Sequence, residues 1–328
     1  MAVISPGMTS GRTTATVPVP ASPASGGVPR HALAPPRTWR SAVLAAAAAG
    51  FAAAFALAYV LFVRTASGQQ AEDGVVHSAQ SAGRSTVDWA QPLRQVDLVV
   101  VLGGTGLVVL LLALVRRRFA LGVTALVLLL APLAAAQLLK LYVLVRPDVT
   151  DGSGAPGHNS FPSGHVSAAA AVLFALAVVL PARLRTWVLA AGVPCVAWVA
   201  AATVALGWHR LSDTVGGALL VAAVVCTGAA VVSARRPDGR RIPPVTTAIA
   251  LAGPSAVVLG GFVVLSSATS GAARFVAALT LAALGVAAVV LLAAGPLRPV
   301  NFDPSGVRTR VAGPVVDQRT QRPNRPPR

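Results

Sequence analysis

Residues 96–140, VDLVVVLGGTGLVVLLLALVRRRFALGVTALVLLLAPLAAAQLLK, decide the class of fold. Two apolar runs, Val96 to Val115 and Phe119 to Leu139, are separated only by Arg116, Arg117 and Arg118. Each run is about 20 residues long, the length a helix needs to cross a hydrocarbon core. The pair therefore reads as a transmembrane hairpin, and its triple arginine marks the turn as cytoplasmic.

The same pattern repeats on both sides. Upstream, Ser41 to Val63 forms a first span ending at Arg64, followed by a hydrophilic loop, Thr65 to Gln95. Downstream, further spans are expected over His165 to Leu180, Trp187 to Leu206, Thr214 to Val232, Thr246 to Leu265 and Arg274 to Ala294. Arg183 and Arg185 mark a second basic turn, and Arg235, Arg236, Arg240 and Arg241 a third. The expected fold is all-α, a polytopic transmembrane bundle with a six-span core and two extra C-terminal spans. Its parts are a disordered cytoplasmic tail (1–39), the six-span core (40–234), a basic turn with two further spans (235–294) and a Pro/Arg-rich disordered tail (295–328).

Composition agrees with this reading. Of 328 residues 55% are hydrophobic and only 11% charged, and the mean hydropathy is +0.71. The net charge of +17 does not point to nucleic acid, because the arginines sit in turns and tails where topology accounts for them. Twenty of the 27 Lys and Arg fall on the side of the tails and basic turns. Both termini are therefore expected in the cytoplasm of a cell-membrane protein. Cys195 and Cys226 lie inside apolar runs, so they suggest neither a disulfide framework nor a metal site.

Three polar segments interrupt the spans: Lys140 to Pro147, Phe161 to His165, and Gly207 to Asp213. Two crossings separate the second from the third, so all three are expected on one side of the membrane, here the outer side. Ionisable residues at span ends are functional candidates by default. Ser163 suits the N-cap of the fourth span, and Gly164 lets a ligand approach the backbone there. A helix start seats an anion, and Lys140 and Arg146 add a point charge and a planar fork for phosphate oxygens. His209 and Asp213 are four apart, close enough for the carboxylate to orient one imidazole nitrogen and leave the other as a nucleophile. His165 is then available to protonate a leaving oxygen. A metal site built from His165, His209, Asp148, Asp151 and Asp213 is the competing reading, but no paired-ligand spacing supports it.

On these residues the chain resembles the type 2 phosphatidic acid phosphatase family, known by a Lys...Arg-Pro segment, a Pro-Ser-Gly-His segment and a Ser-Arg...His...Asp segment. Pro162-Ser163-Gly164-His165 matches the second in full, His209 and Asp213 end the third, and Lys140 with Arg146-Pro147 resembles the first. Five residues rather than six separate Lys140 from Arg146, and the family's Ser-Arg pair falls on Ala202 and Thr203. The resemblance covers the first six spans. It implies a metal-independent and cofactor-free hydrolysis of a lipid phosphate or diphosphate held in the bilayer. In that scheme His209, Asp213 and His165 are catalytic, and Lys140, Arg146, Ser163 and Gly164 bind substrate. Thr203 in place of arginine leaves open a non-catalytic protein that binds or moves a phosphorylated lipid, unless another group such as Arg210 substitutes.

Overall fold

The structure is a computed structural model that describes residues 39–149, 159–235 and 242–302. Both tails expected to be disordered lie outside the described residues, apart from Trp39 and 295–302, as do Asp151, His158 and most of the third basic turn. Among the described residues the chain is all-helical. Its ten α-helices are α1 (Trp39–Ala58), α2 (Ala66–Ser81), α3 (Arg84–Val87), α4 (Leu98–Val115), α5 (Phe119–Leu138), α6 (Gly164–Val179), α7 (Ala182–Ala205), α8 (Leu211–Ala234), α9 (Pro244–Ser267) and α10 (Gly271–Leu297). π-helical turns extend α1 to Val63 and α5 to Val143.

Seven of these helices are long and apolar enough to cross a membrane, which fits a multi-pass membrane protein. The expected fourth span, α6, has 16 residues and falls short of that length. Its limits are set by punctuation, with Pro162-Ser163 before it and Pro181 after it. Arg116 donates to the Val179 carbonyl at 2.7 Å and Arg185 to the Ala177 carbonyl at 2.8 Å. Two arginines of the basic turns thus satisfy carbonyls left over at its C-terminal end.

α8 is the centre of the bundle. It packs along α1 and also meets α5, α6, α7 and α10, and residues 211–222 are all buried. Small side chains make this possible, because Gly216, Gly217, Ala218 and Ala222 let neighbouring backbones approach. A Cβ on Gly217 would stand 2.8 Å from the Ser163 carbonyl oxygen, and one on Gly216 2.4 Å from the Phe161 ring. α4 is the opposite case, exposing Val99, Val100, Leu107, Leu110, Leu111, Leu114 and Val115. Such a face is stable against lipid tails and not against water.

The stretch Thr65 to Gln95, expected as a hydrophilic loop, folds differently. It contains α2, α3 and a 3₁₀ segment, Asp88–Gln95. α2 starts at an N-cap, with the Thr65 hydroxyl accepting from the Gly68 N–H at 3.1 Å, and it turns Gln69, Glu72 and Asp73 inward. α9 and α10 flank it, and Ser78 donates to the Gly271 carbonyl at 3.2 Å. The two C-terminal spans are therefore packed against α1, α7, α8 and α2 rather than appended to the bundle. Cys195 is exposed and Cys226 buried, and both are free thiols.

Candidate active site

Asp213 is the fixed point of the polar cluster. It lies in the first turn of α8, where a carboxylate favours the positive end of the helix dipole, and it is fully buried. Its Oδ2 accepts from the Arg210 N–H at 2.9 Å, reaching back over the helix start. The same oxygen accepts from the Ser160 hydroxyl at 2.6 Å and meets His209 Nδ1 at 3.4 Å. The tight turn that brings His209 over this carboxylate passes through Gly207 at φ +67°, where a side chain would be strained. Among the described residues, the hydrogen bond of the His209 ring is made through Nδ1 and leaves Nε2 as the other ring nitrogen.

Facing it is His165, the second residue of α6. The two imidazole centroids are 5.9 Å apart and the ring planes are inclined at 65°. α6 and α8 are locked at this end by the Ser163 N–H, which donates to the Asp213 carbonyl at 2.8 Å. Ser163 is fully buried, and its hydroxyl caps α6 by accepting from the Val166 N–H at 3.4 Å. Among the described residues, leaving aside its chain neighbours and the backbone of α6 itself, no atom lies within 4 Å of a Cβ built on Gly164.

The Lys140 to Pro147 segment closes the cluster from a third side. Tyr59 of the π-turn after α1 accepts from the Val145 N–H at 3.0 Å and donates to its carbonyl at 2.6 Å. Asn159 donates to the Leu144 carbonyl at 2.8 Å, and Gln69 of α2 to the Pro147 carbonyl at 2.7 Å. Lys140 is half-buried, and its charge acts on both Asp213 and His165. The Arg146 side chain is 4% exposed and lies 3.7 Å from Asp73 Oδ1. Its two terminal nitrogens have no hydrogen-bond partner among the described residues. A buried guanidinium with unspent donors suits a phosphate, whose oxygens accept in pairs.

All seven sequence-derived site residues thus gather at one end of the bundle. The residues the sequence reading missed are Gln69, Glu72, Asp73 and Ser160. Asp73 Oδ1 accepts from Arg210 Nη2 at 2.9 Å and Nε at 3.1 Å. Arg210, raised above as a substitute for the absent arginine, is committed to this carboxylate and to Ser160 and is 5% exposed. Burial opposes its charge, but Asp213, Asp73 and Glu72 outweigh that and hold its pKa above the usual value. Thr203 is fully buried and donates to the Ala200 carbonyl at 2.9 Å.

Glu72 accepts from the Ser212 N–H at 2.7 Å and pairs with the Ser212 hydroxyl at 3.0 Å. Burial, followed by the nearby Asp213 charge, pushes its carboxyl up to about 8. One signal in the sequence pointed to this helix: Gln69, Glu72, Asp73 and Val76 fall on one helical face, and Glu72 is the chain's single glutamate. Among the described residues no group of three or more His, Cys, Asp or Glu is placed to hold a metal ion.

The comparison with protein families matches residues 121–237 to the PAP2 superfamily. That range runs from α5 to just past α8 and contains all three polar segments. It is consistent with a member of the type 2 phosphatidic acid phosphatase family. Neither the curated proteins nor the solved structures gave a match.

Proposed function

We propose that this chain, with its PAP2 superfamily segment over residues 121–237, is an integral membrane phosphatase. Members of that superfamily are phosphatases, which supports phosphoester hydrolysis in general. The proposed substrate is a lipid phosphate or diphosphate, met at the outer membrane interface. The observation that carries this reading is the pair of neighbouring histidines, one held by Asp213 through Nδ1 and the other with its ring centroid 5.9 Å away.

His209 Nε2 attacks phosphorus, and the bond to the leaving oxygen breaks as His165 gives that oxygen a proton. Water then attacks the phosphohistidine, returning a proton to His165 and releasing phosphate. Lys140, Arg146 and the α6 start carrying Ser163 and Gly164 hold the equatorial oxygens. Positioning and charge stabilisation thus supply most of the rate. A lipid whose tail stays in the bilayer presents its headgroup at this depth, and the arginine-rich turns at the opposite end argue for an outward-facing site in the cell membrane.

The test is phosphate release by detergent-purified protein from a panel of lipid phosphates in the presence of chelator. Release by the wild type that is lost in His209→Ala is the expected result. Thr203, buried where the resemblance places an arginine, favours a second reading in which the pocket binds or moves the lipid without cleaving it. Retained lipid binding with no release from any panel member would support that reading and overturn the first.

A further inference from the structure

His165 also neighbours an aromatic ring that carries a cation. The Trp208 ring lies 5.4 Å from the His165 ring, and the Arg94 guanidinium carbon lies 5.3 Å from the Trp208 centroid. A guanidinium at that distance from an indole is attracted by the ring face. The segment that carries Arg94 is anchored, because Ala90 and Leu93 are buried and the segment packs on α7. Arg94 itself is exposed. Arg146 and Arg210 both lie beside Asp73, whereas no ion pair of Arg94 occurs among the described residues.

We propose that Arg94, held on Trp208, binds a second phosphate on the leaving-group side, so that the preferred substrate is a diphosphate. This rests on the phosphatase reading above and narrows its substrate class. In an in-line displacement the leaving group departs opposite the nucleophile. The leaving oxygen is the one next to His165, whose ring lies 5.4 Å from Trp208, and Arg94 is the cation held on that indole. A leaving alcohol has no use for a cation there, but a leaving phosphate does.

The step balances without a co-reactant other than water. The His209 Nε2 lone pair forms the N–P bond to the terminal phosphorus. The bond from that phosphorus to the bridging oxygen breaks, and its electron pair stays on the bridging oxygen. A monophosphate departs, its added charge met by the His165 proton and Arg94. Water then attacks the phosphohistidine, the N–P electrons return to His209, and the released proton passes to His165.

The experiment compares kcat/KM of the full-length protein in detergent for farnesyl diphosphate and farnesyl monophosphate, using wild type, Arg94→Ala and Arg94→Lys. One charge-assisted contact corresponds to a factor of about ten to a hundred. Arg94→Ala is expected to lower the diphosphate-to-monophosphate ratio by that factor, and Arg94→Lys to retain most of it. Equal losses on both substrates, or no loss on either, would overturn the proposal and leave Arg94 as a structural or interfacial residue.

A second arm measures binding of inorganic diphosphate and orthophosphate to His209→Ala, with and without Arg94→Ala, by calorimetry. Tighter binding of diphosphate that depends on Arg94 supports the proposal even if the wild type cleaves nothing, an outcome that sinks the phosphatase reading alone. Equal affinity for the two anions overturns it. Turnover of farnesyl but not inorganic diphosphate supports it with a lipid headgroup as the source, and turnover of both supports it with a soluble one.

Discussion

Replacing Asp73 by asparagine removes a charge that two buried guanidiniums share. Oδ1 lies 2.9 Å from Arg210 Nη2 and 3.7 Å from Arg146 Nη2, and all three side chains are less than a tenth exposed. At an effective dielectric of about 20, each pair has a gross attraction of roughly 4–6 kcal/mol. Most of that offsets desolvation, and breaking a buried pair by removing one partner costs about 3–5 kcal/mol net. The amide keeps an acceptor near Arg210, so Asp73→Asn belongs at the lower end, about 3 kcal/mol. Thermal unfolding of the detergent-solubilised protein should show a lowered midpoint.

Activity should fall further than stability implies, because Arg146 loses its anchor. A displacement of about 1 Å in a positioning group can cost on the order of a hundredfold in rate. The double variant Asp73→Asn, Arg210→Met removes the orphaned cation together with its partner, and it should be more stable than the single variants predict by addition. An unchanged midpoint in Asp73→Asn, or strict additivity in the double variant, would refute the idea that α2 is held by a buried charge cluster.

Two other outcomes follow from the same geometry. Asp213→Asn keeps the shape but removes the carboxylate charge that holds the tautomer of His209 and stabilises its charged ring, so kcat should drop by about three to four orders of magnitude while KM changes little, read by phosphate release. Glu72 binds a proton in the folded protein at pH values where the unfolded chain has released it. Its contribution is therefore full below about 4.5 and is lost as pH rises toward about 8. The thermal midpoint of the wild type should fall across that window relative to Glu72→Gln, and parallel pH profiles would show that the carboxyl is ionised throughout.

Much of this architecture was legible in the sequence because membrane burial imposes a local code. A run such as Leu98 to Val115 has few alternatives to a lipid-facing helix, and the arginines that punctuate the runs report sidedness. The three polar segments were legible because their residues are close in sequence, as with His209 and Asp213. α2 was not. Its mixture of Gln, Glu, Asp, Gly and Ser has the composition of a solvated loop, and only its partners make it a buried helix. Those partners are distant, with Asp73 and Arg210 137 residues apart and Glu72 and Ser212 140 apart. No window of local sequence can reveal a pairing over that separation. The same distance explains the reading of Arg210 as a possible phosphate ligand, since nothing near it in sequence shows that Asp73 occupies it.

The charge balance of the cluster ties these residues to the proposed chemistry. Lys140, Arg146 and Arg210 face Asp73 and Asp213, while burial pushes the Glu72 carboxyl up to about 8 and so opposes its ionisation. The Glu72 carboxyl holds the α8 start, accepting from the Ser212 N–H on Oε1 and from the Ser212 hydroxyl on Oε2. Among the described residues, three cations face two carboxylates and a carboxyl whose ionisation burial opposes, close to a helix N-terminus that adds positive potential. An uncompensated charge in a low-dielectric setting is costly, and an anionic headgroup is the partner that removes the cost. An ionised Glu72 would add a third carboxylate and weaken the pull on that headgroup. The burial that opposes Glu72 ionisation is supplied by α2, with α9 and α10 packed behind it. The two C-terminal spans, which lie outside the PAP2 match, are thus packed behind the helix that carries Glu72.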